Sequence, residues 1–133
     1  FGQTGTLALS YLVTRSIRRA GAEARVTLTG YSGLMLPQLE DLGLAQAASE
    51  GAFAVKDLLL YSAVCGVGID TVPLPGDVPT AKLAMLLLDM QALSERWNKP
   101  LACRVLPVPG AVAGDRTKFA NPYLCDSVVL GLP

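Results

Sequence analysis

Residues 62–79 read SAVCGVGIDTVPLPGDVP, a stretch that gathers one thiol, three glycines and three prolines around Asp70 and Asp77. Two readings compete for it. A catalytic loop would use the thiol and the acids. A tight crossing between two buried elements would use the glycines, which tolerate close backbone approach and positive φ. The glycines of CGVGID do not form a dinucleotide fingerprint, because that motif follows a strand and opens a helix. Here they follow a helical pattern, AVKDLLLYSAVCG, and lead into VPLP. Cys65 closes that helix, where the negative end of the dipole opposes a thiolate, and Lys56, the nearest cation in sequence, lies well back along it.

Working outward, Asp77 and Pro79 have the chemistry of a helix start. The helix they open is expected to run to about Asn98, with Leu83, Leu86, Met90, Leu93 and Trp97 on one face. LACRVLPV then reads as a buried strand. Arg104 stands out in it, since a guanidinium there must reach solvent or find an acid or an anion. Arg116 and Lys118 could join it from the returning segment GAVAGDRTKF, and SVVLGL reads as a last strand. Upstream, TGTLALSYLVTRSIRRAG predicts a helix capped by Thr4 or Thr6 and ended by Gly21, with Leu9, Leu12, Val13, Ile17 and Ala20 as its core face. Its arginines suit a helix end better than an anion patch. ARVTLTG predicts a strand, and LPQLEDLGLAQAASEG a short helix closed by Gly51.

The 133 residues are one domain's worth, residues 1–133, with helices and apolar strands alternating as in an α/β fold. Apolar residues make up 51% and charged residues 17%, against roughly 45–50% and about 25% in ordinary domains. Such a chain buries elements on both sides or expects further protein over its surface. Eleven basic and eleven acidic residues cancel. Charge therefore gives no drive toward nucleic acid or an anionic membrane, and no apolar run approaches the length of a membrane span. Cys65, Cys103 and Cys125 form no CxxC pair, which points to reduced thiols in a cytoplasm and to no zinc site. Histidine is absent. Ser-His-Asp and Cys-His pairs and histidine metal ligands are excluded unless another chain supplies the imidazole.

Three blocks, GYSGLMLPQLED at 30–41, SAVCGVGIDTVPLPGDVP at 62–79 and KPLACRVLPVPGAVAGDRTKF at 99–119, resemble in order and spacing the carboxyl-terminal part of the family called domain of unknown function 711. That resemblance implies a partial α/β barrel similar to the pyruvate formate-lyase-like glycyl radical enzymes, completed by further protein. It implies that Cys65 lies on a finger loop threading the barrel. The chain would then be the last part of a longer protein, in keeping with its first residue, Phe1. Radical chemistry is not implied: an RVSGY-like segment downstream of the finger is missing, RVTLTGY at 25–31 lies upstream, and Cys65 has no second cysteine beside it.

Two functions follow as expectations. In the first, the barrel binds or converts a small metabolite, with Cys65 and Asp70 as catalytic candidates and Gly66, Gly68, Asp77, Arg104 and Asp115 as ligand contacts. Asp115 and Asp77 also have plainer roles, as a turn residue and a helix cap. In the second, the domain is structural or serves assembly, and the Cys65–Asp77 loop only packs. No cofactor is implied. The expected partners are a small molecule, a second copy, or the remaining portion of the longer protein, with no nucleic acid and no membrane.

Overall fold

The computed structural model describes residues 1–133. In chain order the elements are α1 (Thr6–Glu23), α2 (Leu42–Ser49), α3 (Val55–Ser62), β1 (Gly68–Pro75), α4 (Thr80–Trp97) and β2 (Ala102–Val108). The α/β class expected is the class found. The two strands pair in parallel, with α4 as the crossover that a parallel pair requires. Two strands cannot close a barrel, so closure needs strands beyond these.

The stretch 62–79 is mostly strand, which its glycines and prolines disguised. β1 is buried along nearly its whole length. On one side it pairs with β2; on the other, Gln38 N–H donates to Asp70 O and Leu130 N–H to Pro73 O. Prolines are tolerated because Pro73 and Pro75 need only accept. Continuous burial replaces the alternation that marks a half-exposed strand.

The glycines answer the question that this stretch raises. Gly66 lies directly against Gly33, where a Cβ on either would come within 2.8 Å of the other's backbone. Gly68 takes φ +123° with its α-carbon against Ala102. Crowding at a crossing of backbones therefore accounts for both. The core forms around this crossing from Leu44, Phe53, Val55, Leu58, Ile69, Val72, Leu74, Leu86 and Met90, which join α2, α3, β1 and α4.

Several local expectations are corrected. α2 is followed by Gly51 at φ +71°, in keeping with the expected close, and it begins where Asp41 accepts a hydrogen bond from Leu44 N–H. α3 stops at Ser62, so Cys65 lies in the turn beyond it. Its start is held by Asp57, whose carboxylate accepts from Ala54 N–H at 2.8 Å. α4 spans Thr80–Trp97, but Pro79 is its N-cap and the Asp77 side chain does not cap it. Its face is narrower than expected, since Leu86 and Met90 are buried while Trp97 is 55% exposed. ARVTLTG is coil, and SVVLGL contributes only a single bridge, Val128 to Arg116.

α1 departs furthest. Gly5, in a left-handed conformation, precedes it in place of a threonine cap, and Gly21 lies inside the helix against Leu28. Ser10, Thr14 and Gly21 face inward, while Leu9 and Leu12 are 64% and 50% exposed and Val13 and Ile17 are exposed beside them. The cause is local. The Gly33–Leu34 backbone packs on α1 at Thr14, whose Oγ1 accepts from Leu34 N–H at 3.1 Å, and Gly21 packs on the Leu28 side chain. The apolar stripe is left on the outside.

Gly68→Ala should destabilise the chain by more than about 1 kcal/mol, because the new methyl meets both an unfavourable φ and the Ala102 backbone. Urea unfolding of the two proteins side by side measures this. An unchanged midpoint would mean that the crossing has room to spare.

Candidate functional site

The site begins with an irregularity in the sheet. Ile69 pairs with Cys103 and Val72 with Val105, so Asp70 and Thr71 together face the single residue Arg104. This extra residue is a β-bulge, a device that bends a strand and re-aims a side chain. Thr71 takes φ +45° to complete it. That is an uncommon conformation for a β-branched residue, and it costs on the order of 1–3 kcal/mol.

The bulge brings together two of the residues singled out by sequence. Asp70, 2% exposed, accepts at Oδ1 from Arg104 Nε at 2.5 Å. Arg104 Nη2 also donates to Glu40 Oε1 at 2.9 Å. The Arg104 side chain stays 53% exposed, held from below by a buried acid and from the side by a partly exposed one. The hydrogen bond and charge of Asp70, with Glu40 adding to them, raise the guanidinium above its ordinary pKa. Glu40 was missed by the sequence reading, since an acid in a turn before a helix looks like solvated surface. Its only signal was the unmatched Arg104.

Two polar atoms at the bulge have no partner: Asp70 Oδ2 and Thr71 Oγ1 are buried and make no hydrogen bond, as is Gln38 Oε1 nearby in sequence to Glu40. Gln38 is otherwise anchored, its Nε2 donating to Ser127 Oγ and Val128 O. Each orphaned atom costs about 1–3 kcal/mol.

The remaining candidates lie apart from this cluster. Cys65 is fully buried, and its Sγ accepts the N–H of Gly68 at 3.2 Å, so the thiol holds the start of β1. Its carbonyl, together with that of Ser62, accepts from Lys99 Nζ, which thereby ties the end of α3 to the chain after α4. Burial and the charge of Arg18 lower the Lys99 pKa from its ordinary value, against an opposing influence from Cys65. Cys103 is half-buried, and that burial pushes its thiol up. Gly66 and Gly68 occupy the crossing described above. Asp115 accepts from Val112 N–H at 2.9 Å and shapes a turn. Asp77 makes no ion pair, and Arg116 donates only to Asp126 O. A mostly apolar cleft of about 270 Å³ between α3, α4 and the last residues touches neither Asp70 nor Arg104. No group of three or more acids or thiols gathers as a metal would need, and no helix is long and apolar enough to cross a membrane.

The class defined by these features is a mixed α/β protein built on a parallel strand–helix–strand unit with a bulged, buried first strand. Residues 1–121 match the family described as Uncharacterised ACR (DUF711), and the chain belongs to it. Among its relatives is a UPF0210 protein of Oleidesulfovibrio alaskensis, 36% identical over 132 residues, covering 99% of this chain and 29% of that one. A UPF0210 protein of Pyrobaculum arsenaticum is 40% identical over 122 residues, covering 92% and 27%. A third, of Carboxydothermus hydrogenoformans, is 34% identical over 120 residues, covering 90% and 26%. The chain thus spans under a third of the length of these relatives. No solved structure matches it.

Native alkylation read by peptide mass spectrometry should label Cys125 first and Cys103 slowly. Cys65 should stay unlabelled until denaturant is added. Rapid labelling of Cys65 in the folded chain would restore it as a candidate nucleophile.

Proposed function

We propose that this chain is an assembly domain, one wall of a larger α/β protein, in which the Cys65–Asp77 stretch serves packing. The observation that carries this reading is the inverted polarity of α1, which turns Leu9, Leu12, Val13 and Ile17 outward. Leaving several large apolar side chains partly wet in one stripe forgoes part of the roughly 1.5–3 kcal/mol that full burial of each would contribute, and contiguous exposed apolar surface usually marks an interface. The occupant is the portion of the family's longer architecture that this chain does not span, which is more than two thirds of each relative named above. Those residues complete the sheet, in a barrel of the kind the resemblance implies, and lie over α1. A cytoplasmic setting fits the three free cysteines.

Co-expression tests this. The chain, produced with the non-overlapping portion of the Oleidesulfovibrio alaskensis relative, should co-purify with it in a one-to-one complex. Leu12→Glu with Ile17→Glu should abolish the complex while leaving the chain's Tm within about 2–4 °C, since exposed substitutions seldom exceed ±0.5 kcal/mol. A homodimer broken by the same pair would assign the face to a second copy instead. A monodisperse monomer that ignores the partner would sink the proposal.

A second reading, a small-metabolite or catalytic site, is favoured by the bulge. A left-handed threonine, an orphaned hydroxyl and an orphaned carboxylate oxygen sit on adjacent residues. Together they cost several kcal/mol in a fold whose net stability is about 5–15 kcal/mol. Strain of this kind concentrates at functional sites. If the bulge is kept for chemistry, Thr71→Gly should stabilise the chain by about 1 kcal/mol, relieving the backbone and removing the hydroxyl. A loss of stability on denaturant titration would make the bulge structural and remove this reading.

A further inference from the structure

The charges of this chain cancel overall but not locally. A cleft of about 500 Å³ between α1 and the turn after α3 is lined by Arg15, Arg18, Arg19 and Lys99, with Tyr11 and Thr14 at its side and no carboxylate among its walls. Four of the chain's eleven cations thus face one space. Only Arg19 has an ion-pair partner, Glu23 at 2.7 Å. Arg15, Arg18 and Arg19 stand at helical spacing on one face, an arrangement that weakens an isolated helix. Burial is the main cause of the lowered pKa of Lys99, and the charge of Arg18 adds to it. The negative end of α3 offsets part of it, through the Ser62 and Cys65 carbonyls that receive the Lys99 ammonium.

A second hollow of about 450 Å³ shares Arg18, Ala63 and Lys99 with the first and continues to Trp97 and Asn98. The two adjoin along Arg18, Ala63 and Lys99, making a surface groove that is cationic at one end and aromatic at the other. Trp97 is half exposed there, with the Arg96 guanidinium over one face of the indole at 5.2 Å from its centroid, which leaves the other face for a ligand ring. Guanidinium and ammonium groups recognise phosphate oxygens, and an exposed indole stacks on planar rings.

We infer that this groove binds a phosphorylated small molecule carrying a planar ring, a mononucleotide in chemical class, with its phosphate at Arg15, Arg18 and Lys99 and its ring against Trp97. The site is independent of the Asp70–Arg104 cluster and of the outward stripe of α1.

Trp97 is the only tryptophan, so its fluorescence, excited beyond nucleotide absorption, reports occupancy directly. Titration with adenosine monophosphate should quench it along a saturable curve. Adenosine should quench weakly, and inorganic phosphate should compete. Arg15→Gln with Arg18→Gln should weaken adenosine monophosphate at least about tenfold, the loss expected when charge-assisted hydrogen bonds go, with an unchanged circular dichroism melt. Trp97→Phe removes the probe, so its affinity is read by equilibrium dialysis and should also fall. Absence of saturable quenching at millimolar nucleotide would overturn the inference. So would quenching that is equal in the double variant, or that adenosine reproduces fully.

Discussion

Everything in this fold leans on the confinement of β1 between two backbones. β2 lies along one edge, and the segments around Gln38 and Leu130 lie along the other. A strand so enclosed has its hydrogen bonds met locally and its side chains buried whatever their order. The cost is steric. At its entry there is no space for side chains at 66 and 68, and the Cys65 sulfur is small enough to sit under the turn and take the Gly68 N–H. The bulge at Asp70 and Thr71 is a further result of fitting this strand beside β2, and it turns a buried acid toward Arg104.

Sequence legibility divides along the same line. α4 and β2 were readable as elements because their signals are local, a helical repeat of leucines and a run of apolar residues with one charge, but β2 is only half-buried where that run suggested full burial. The family resemblance was readable from three ordered blocks, and it is the family the chain belongs to. β1 was not readable as a strand, because glycine and proline report flexibility and breaks when judged by propensity. Their use here is steric and depends on Gly33 and Ala102, far away in sequence. The Asp70–Arg104 meeting was only a question in the sequence, since nothing local fixes which residue faces which across a 34-residue separation. Glu40 carried no signal of its own.

The polarity of α1 failed for a more instructive reason. Helical periodicity finds the apolar stripe and assumes that it faces the nearest core. In this chain the near side of the helix carries Ser10, Thr14 and Gly21, with Thr14 against the Gly33–Leu34 backbone and Gly21 against Leu28. Periodicity was right about the helix and silent about which partner claims the stripe. A chain that spans under a third of its relatives' length is where such a mismatch is to be expected, because a buried surface can be encoded by residues that lie elsewhere.

The crossover has a kinetic side as well. β1 and β2 are joined in sequence only through α4, so their pairing closes a loop that holds the whole helix. Contacts of long sequence separation form slowly, since the intervening chain must first be closed. The left-handed turn at Thr71 thus belongs to a long-range pairing rather than to its local sequence.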